Sequence, residues 1–179
     1  MPLPRVDVER ALQYDLDKIL LEVETYIPKW IDGDKDQIML QTVPDCDDPY
    51  YGTGALNQFS TKHAEHHFVE PMFPGMEYTN SILAEHNLYR TRLLRLKPQR
   101  NYTYHHDPTK RWHLPLISNY ECFFIIDDEV HKFPADGRCH IIDTTKEHTA
   151  INASKHDRIH IVGCFGPSNK KYKKLLSNI

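Results

Sequence analysis

Apolar residues recur at three- and four-residue steps at the start of the chain. Val8, Leu12, Leu16, Ile19, Leu20, Val23 and Ile27 would share one face of a helix over residues 6–27, which Pro28 ends. Residues 32–51 are rich in Asp, Pro and Gly and predict loops around one short strand at 38–40. A second helix is predicted over 81–92, capped by Asn80 or Ser81. Beyond it the period changes. Eight short β-type runs follow, at 93–96, 102–106, 112–117, 122–126, 130–133, 139–143, 148–152 and 159–165. Turn pairs such as Asp107-Pro108, Ser118-Asn119 and Asp127-Asp128 separate several of them. Eight strands after a helical beginning predict a mainly β, α+β fold: a sandwich or small barrel with helices packed outside it.

Length predicts one domain over 1–179, with a helical and loop part at 1–92, a β core at 93–166 and a basic tail at 167–179. A net charge of −3 gives no general attraction to nucleic acid. The basic run Lys170-Lys171-Tyr172-Lys173-Lys174 reads as a solvated last helix or frayed tail. Cys46, Cys122, Cys139 and Cys164 are scattered. The last three lie in apolar runs, which predicts buried free thiols and a reducing compartment. The N-terminus lacks the apolar stretch of a signal peptide, and no apolar run is long enough to span a membrane, so a cytoplasmic location is expected.

Chemistry enters with His105-x-Asp107, then His148, then Arg158 ten residues later. Two imidazoles and a carboxylate can occupy one face of an octahedral Fe(II) and leave three positions open. Residues i and i+2 of a strand share a face, roughly 6.6 Å apart, so His105 and Asp107 can converge while His106 points away. Arg158 is a permanent cation with a planar fork, suited to the carboxylate of an oxo-acid. The four residues read as an Fe(II)- and 2-oxoglutarate-dependent oxygenase, with ascorbate supporting activity. The competing reading makes His105 and Asp107 a turn cap before Pro108 and Arg158 a surface strand residue. Seven glycines and no P-loop, dinucleotide fingerprint or G-x-S-x-G elbow leave no phosphate cradle or serine hydrolase site.

The stretch 93–165 resembles the double-stranded β-helix (cupin-like jelly-roll) core of the aspartyl/asparaginyl β-hydroxylase family. The resemblance is carried by Leu96-Lys97-Pro98, His105-His106-Asp107, the run Arg111 to Leu116, Gly137, Asp143, Glu147-His148 and the run Arg158 to Val162. It implies His105 and His148 as iron ligands and Arg158 as the clamp for the distal carboxylate of 2-oxoglutarate. It also implies Arg111 and His113 as polar groups near co-substrate and substrate. The aspartyl/asparaginyl hydroxylases proper have Gly where this chain has Asp107. The free-proline hydroxylase branch has the carboxylate, which tilts the expected substrate toward small amino acids. The residues that choose substrate lie in loops and the N-terminal half, outside the resemblance. The competing class is a non-catalytic cupin-like domain that binds a metal or small ligand. A structural interaction module is the third class.

Arg111 and His113 alternate on one run and should face the cavity together. With Arg158 assigned to co-substrate, Arg111 is the expected spare cation for a substrate carboxylate; the alternative is a structural ion pair with Asp127 or Asp128. His160 should point inward with Arg158, and Trp112 should face the opposite layer. His63, His66 and His67 form the densest histidine cluster and read as a polar surface or a flap near the site, ahead of zinc binding.

Overall fold

The computed structural model describes residues 13–56 and 62–165. The start of the expected first helix, the Lys170–Lys174 run and the basic tail lie outside the described residues.

Within them α1 spans Leu16–Tyr26. Asp15 caps it by accepting a hydrogen bond from the Lys18 N–H, which satisfies one of the free donors of the first turn. Gln13 and Tyr14 are therefore not helical. Tyr14 N–H instead donates to Gly137 O at 2.8 Å. Gly137 has φ +82°, and a Cβ there would meet Tyr14 O, so the turn requires glycine. Pro28 does end α1, but it also opens a short helix, α2 (Pro28–Ile31), at a position where a missing N–H costs nothing.

The second predicted helix lies earlier than expected. α3 spans Glu77–Glu85, and its remaining residues become strand. Asn87 is the cause. At φ +49° it adopts the left-handed conformation after the helix. Leu88 N–H then donates to Leu83 O and Asn87 N–H to Ala84 O, the paired bonds of a Schellman cap.

The described residues form eleven strands. They are β1 (Gln37–Met39), β2 (Gln41–Thr42), β3 (Glu70–Pro71), β4 (Tyr89–Leu96), β5 (Arg100–Asn101), β6 (Arg111–Ile117), β7 (Cys122–Ile126), β8 (Glu129–His131), β9 (His140–Ile142), β10 (His148–Asn152) and β11 (Arg158–Cys164). The run expected at 102–106 is not a strand. β5 lies just before it, and His105 pairs with His148 only as an isolated bridge.

Pairing is nested. β4 pairs with β11, β5 with β10, β6 with β9 and β7 with β8, all antiparallel. This is one long hairpin rolled up. β11 also pairs with β6, and β10 with β7, which closes the roll into two sheets. One sheet runs β1-β4-β11-β6-β9, the other β5-β10-β7-β8, and β2-β3 form a separate ribbon. The fold is a cupin-like jelly roll, or double-stranded β-helix, with helices on the outer face of the larger sheet.

Alternation along the strands sorts their side chains. Leu93, Trp112, Leu114, Ile159 and Ile161 join Ile19, Val23 and Trp30 in the core between the larger sheet and the helices. Trp112 thus faces the layer expected of it. Arg95, also on that face, stacks 4.5 Å from the Trp30 ring and donates to Trp30 O, Ile31 O and Gly33 O at the end of α2. The opposite face carries Arg92, Leu94, His113, Arg158 and Val162, and with Phe124, His148 and Ala150 of the smaller sheet it lines a cavity. All four cysteines are free; Cys122 and Cys164 are buried, whereas Cys46 and Cys139 are half-exposed. Among the described residues no helix is long and apolar enough to cross a membrane.

Candidate metal centre and its pocket

The cavity is about 780 Å³ and lies between the two sheets. His105, Asp107 and His148 stand on its wall. One ligand atom from each lies within 4.8 Å of the others, the one such three-residue group of potential metal ligands among the described residues. The convergence does not come from an i, i+2 strand face. The β5–β10 pairing is extended by a bridge in which His105 N–H donates to His148 O and His148 N–H donates to His105 O. This sets the two histidines opposite each other, ring centroids 4.3 Å apart. Asp107 N–H then donates to Thr144 O at 2.7 Å, which turns the chain back toward the site.

Both imidazoles are held in one tautomer. His105 Nδ1 lies 2.8 Å from Thr103 O, and His148 Nδ1 lies 2.9 Å from Lys146 O. A carbonyl only accepts, so each Nδ1 carries the proton and each Nε2 keeps its lone pair. Burial lowers the His148 pKa, which keeps that ring neutral. Two imidazole Nε2 atoms and one carboxylate suit a divalent first-row metal such as Fe(II).

Arg111 is not spare. Its Nε pairs with Asp107 Oδ2 at 3.3 Å, its Nη2 with Glu65 Oε1 at 3.1 Å, and its Nη1 with Glu65 Oε2 at 3.3 Å. Nη1 also donates to Thr109 Oγ1 and Cys164 Sγ. The expected alternative partners are not used either, since Asp127 pairs with Lys146. Arg111 does line the cavity together with His113, but as the group that fixes Asp107.

Deeper in the barrel, Arg158 lies 4.8 Å above the Phe124 ring and donates through Nη2 to His160 Nδ1 at 2.9 Å. It is a buried strand residue, not a surface one. Burial lowers its pKa to about 10, and among the described residues no carboxylate lies within 4.0 Å of it. Burial and the Arg158 charge push His113 and His160 well below the usual histidine value, so both are neutral and His160 can accept from Arg158. Among the described residues the buried Tyr102 hydroxyl has no hydrogen-bond partner; burial raises its pKa and the Arg158 charge opposes that. A buried donor and an unpaired guanidinium on one wall are what a carboxylate would satisfy.

Sequence reasoning missed Glu65, Arg90, Arg92 and Tyr102. Glu65 opens a single 3₁₀ turn, Glu65–His67, within the histidine cluster. That cluster is a flank of the pocket mouth, where Lys62, His63 and Ala64 also line the wall. Arg90 stands at φ +48° beside a register shift in the β4–β11 pairing and donates to Glu65, Gly52 O and Gly54 O. The basic alternation of Arg90 and Arg92 at the start of β4 was the one available signal.

A sequence model of the family described as Aspartyl/Asparaginyl beta-hydroxylase matches residues 54–165, more than half of the chain. No curated protein matches by sequence. Among solved structures, a cupin domain from Bordetella pertussis Tohama I is similar at 13% identity. The match covers 42% of this chain and 78% of that one, with a TM-score of 0.36. A Cupin 2 conserved barrel domain protein from Salinispora arenicola CNS-205 is similar at 10% identity over 50% of this chain and 71% of that one, TM-score 0.35. These likenesses are partial, and the fold assignment rests on the nested strand pairing.

Proposed function

Because the chain belongs to the aspartyl/asparaginyl β-hydroxylase family, we propose that it is an Fe(II)- and 2-oxoglutarate-dependent oxygenase that hydroxylates an aliphatic C–H bond. One observation carries this reading. His105, Asp107 and His148 share a cavity with the buried Arg158 guanidinium, which has no carboxylate within 4.0 Å among the described residues. His105, Asp107 and His148 would hold the iron. Fe(II) with 2-oxoglutarate and dioxygen supplies the oxidation, which inserts one oxygen atom and releases succinate and CO2.

The protein's own residues do the rest. Thr103 O and Lys146 O hold the two imidazoles in the ligating tautomer. Arg111, itself braced by Glu65, keeps Asp107 turned to the centre. Arg158, steadied by His160, would pair with the distal carboxylate of 2-oxoglutarate, and the Tyr102 hydroxyl would donate a second bond. His113, neutral and on the same wall, would donate or accept one hydrogen bond without adding charge. Leu94, Phe124, Ala150 and Val162 give the cavity apolar surface that excludes water around the target carbon.

The test is a screen of free amino acids and peptides with Fe(II), ascorbate and 2-oxoglutarate. Succinate and a one-oxygen mass gain should appear together with at least one substrate. 2-Oxoglutarate binding without any turnover across the screen would favour a non-catalytic ligand-binding domain instead.

A further inference from the structure

Four arginines line the cavity: Arg90, Arg92, Arg111 and Arg158. All four are buried. The carboxylates on the same wall are Glu65 and Asp107. Glu65 serves Arg90 and Arg111, and Asp107 serves Arg111. Among the described residues Arg92 and Arg158 have no carboxylate within 4.0 Å. The pocket therefore holds two buried cations that lack an anion.

Arg92 is the less satisfied of the two. Both its hydrogen bonds leave from Nη1, to Gln37 Oε1 at 3.3 Å and Gly54 O at 3.4 Å. Both acceptors are neutral and both bonds are long. Among the described residues the buried Nε has no partner. Burial and then the neighbouring Arg90 charge lower its pKa to about 10. Two long neutral contacts do not offset the burial of a guanidinium, whereas a bound carboxylate would.

The register separates the two cations. Arg92 sits opposite Val162, which sits opposite His113; Arg158 sits opposite Leu96, four residues further along β4. Four strand residues put the two backbone positions roughly 13 Å apart, and the guanidinium groups touch different residues, Phe124 and His160 for Arg158, Gln37 and Gly54 for Arg92. A five-carbon diacid spans only about 5 Å between its carboxyl carbons, with C–C bonds near 1.5 Å. One molecule of 2-oxoglutarate at Arg158 thus leaves Arg92 for a second anion.

We propose that Arg92 anchors the carboxylate of the substrate, so that the pocket takes a free amino acid or similar small carboxylic acid rather than a residue within a peptide chain. An internal residue offers a neutral amide where the guanidinium needs an anion. The inference rests on the hydroxylase reading and narrows its substrate class. It also moves the substrate-carboxylate role from Arg111, whose donors are already engaged, to Arg92.

The experiment compares the twenty free L-amino acids with their carboxamides as probes of the Fe(II)-loaded protein under anaerobic conditions. Binding is read by calorimetry and melting temperature, with and without saturating 2-oxoglutarate. At least one free acid should bind, and its carboxamide should bind at least tenfold more weakly. Arg92→Gln should weaken that acid at least tenfold and leave 2-oxoglutarate affinity unchanged, and Arg92→Lys should recover part of the loss. The acid-against-amide comparison needs no variant, so it stands if Arg92→Gln does not fold. Binding of no free acid, equal binding of acid and amide, or equal loss of both ligands in Arg92→Gln would overturn the proposal. Failure of the hydroxylase reading looks different: the wild-type protein would not bind 2-oxoglutarate at all.

Discussion

Replacing Arg158 by Met separates function from stability. In the folded protein burial lowers the guanidinium pKa to about 10. Holding an ion charged in such a pocket costs on the order of a few kcal/mol. The contacts returned are a bond to neutral His160 and the face of the Phe124 ring. Together those contribute about 2 kcal/mol. Met fills much of the same volume and carries no charge. Arg158→Met should therefore leave the ligand-free protein as stable as wild type, or about 1 kcal/mol more stable, a rise of roughly 2–4 °C for a chain of this size. The same change strands the distal carboxylate of 2-oxoglutarate in a partly desolvated pocket. Loss of one partner of such a pair costs ~2–5 kcal/mol, at least a tenfold fall in affinity. Scanning calorimetry of the ligand-free protein and anaerobic titration with 2-oxoglutarate measure the two sides. A large drop in melting temperature with unchanged 2-oxoglutarate affinity would show that Arg158 is a structural cation and would remove the clamp.

Arg111→Gln should weaken Fe(II) or Mn(II) binding about 10–100-fold in metal titrations, because the outer partner of Asp107 is lost; unchanged affinity would mean Asp107 needs no orienting. Stability should fall with acid. His113 and His160 are held neutral when folded but take up protons below about 6.5 when unfolded. Their stabilisation is present above that value and lost as pH falls through it. The pair should cost roughly 2–3 kcal/mol between pH 7.5 and 5.5 in denaturant titrations of the metal-free protein. A flat profile over that window would show that one or both rings are charged in the fold. Asn87→Val should destabilise by about 1–2 kcal/mol, since a β-branched residue resists φ +49°, while Asn87→Gly should be neutral or better; equal melting temperatures would contradict the cap.

Seven of the eight β-type runs overlap β4 and β6 through β11 in order, because alternation of inward and outward residues is written locally into each strand. Run edges were less legible. Arg90 and Arg92 read as helix, and only the left-handed Asn87 ends α3 early enough to make them strand. The second run failed for a related reason, since His105 is set by a bridge to a residue 43 positions away rather than by its own strand. Ligand types were visible because His-x-Asp with a later His has few other uses. The ionic network was not visible, since Glu65 reaches Arg90 and Arg111 only through closure of the fold. That closure is why Arg111 looked spare in the sequence and is fully engaged in the structure.

The central claim is that one iron and one 2-oxoglutarate meet at His105, Asp107 and His148. Anaerobic addition of 2-oxoglutarate to the Fe(II)-loaded protein tests it most directly, read as a visible charge-transfer absorption. The account predicts a band that saturates at one equivalent of iron per chain and is absent in His105→Ala and His148→Ala. Absence of the band in the wild-type protein, or its survival in both histidine variants, would contradict it.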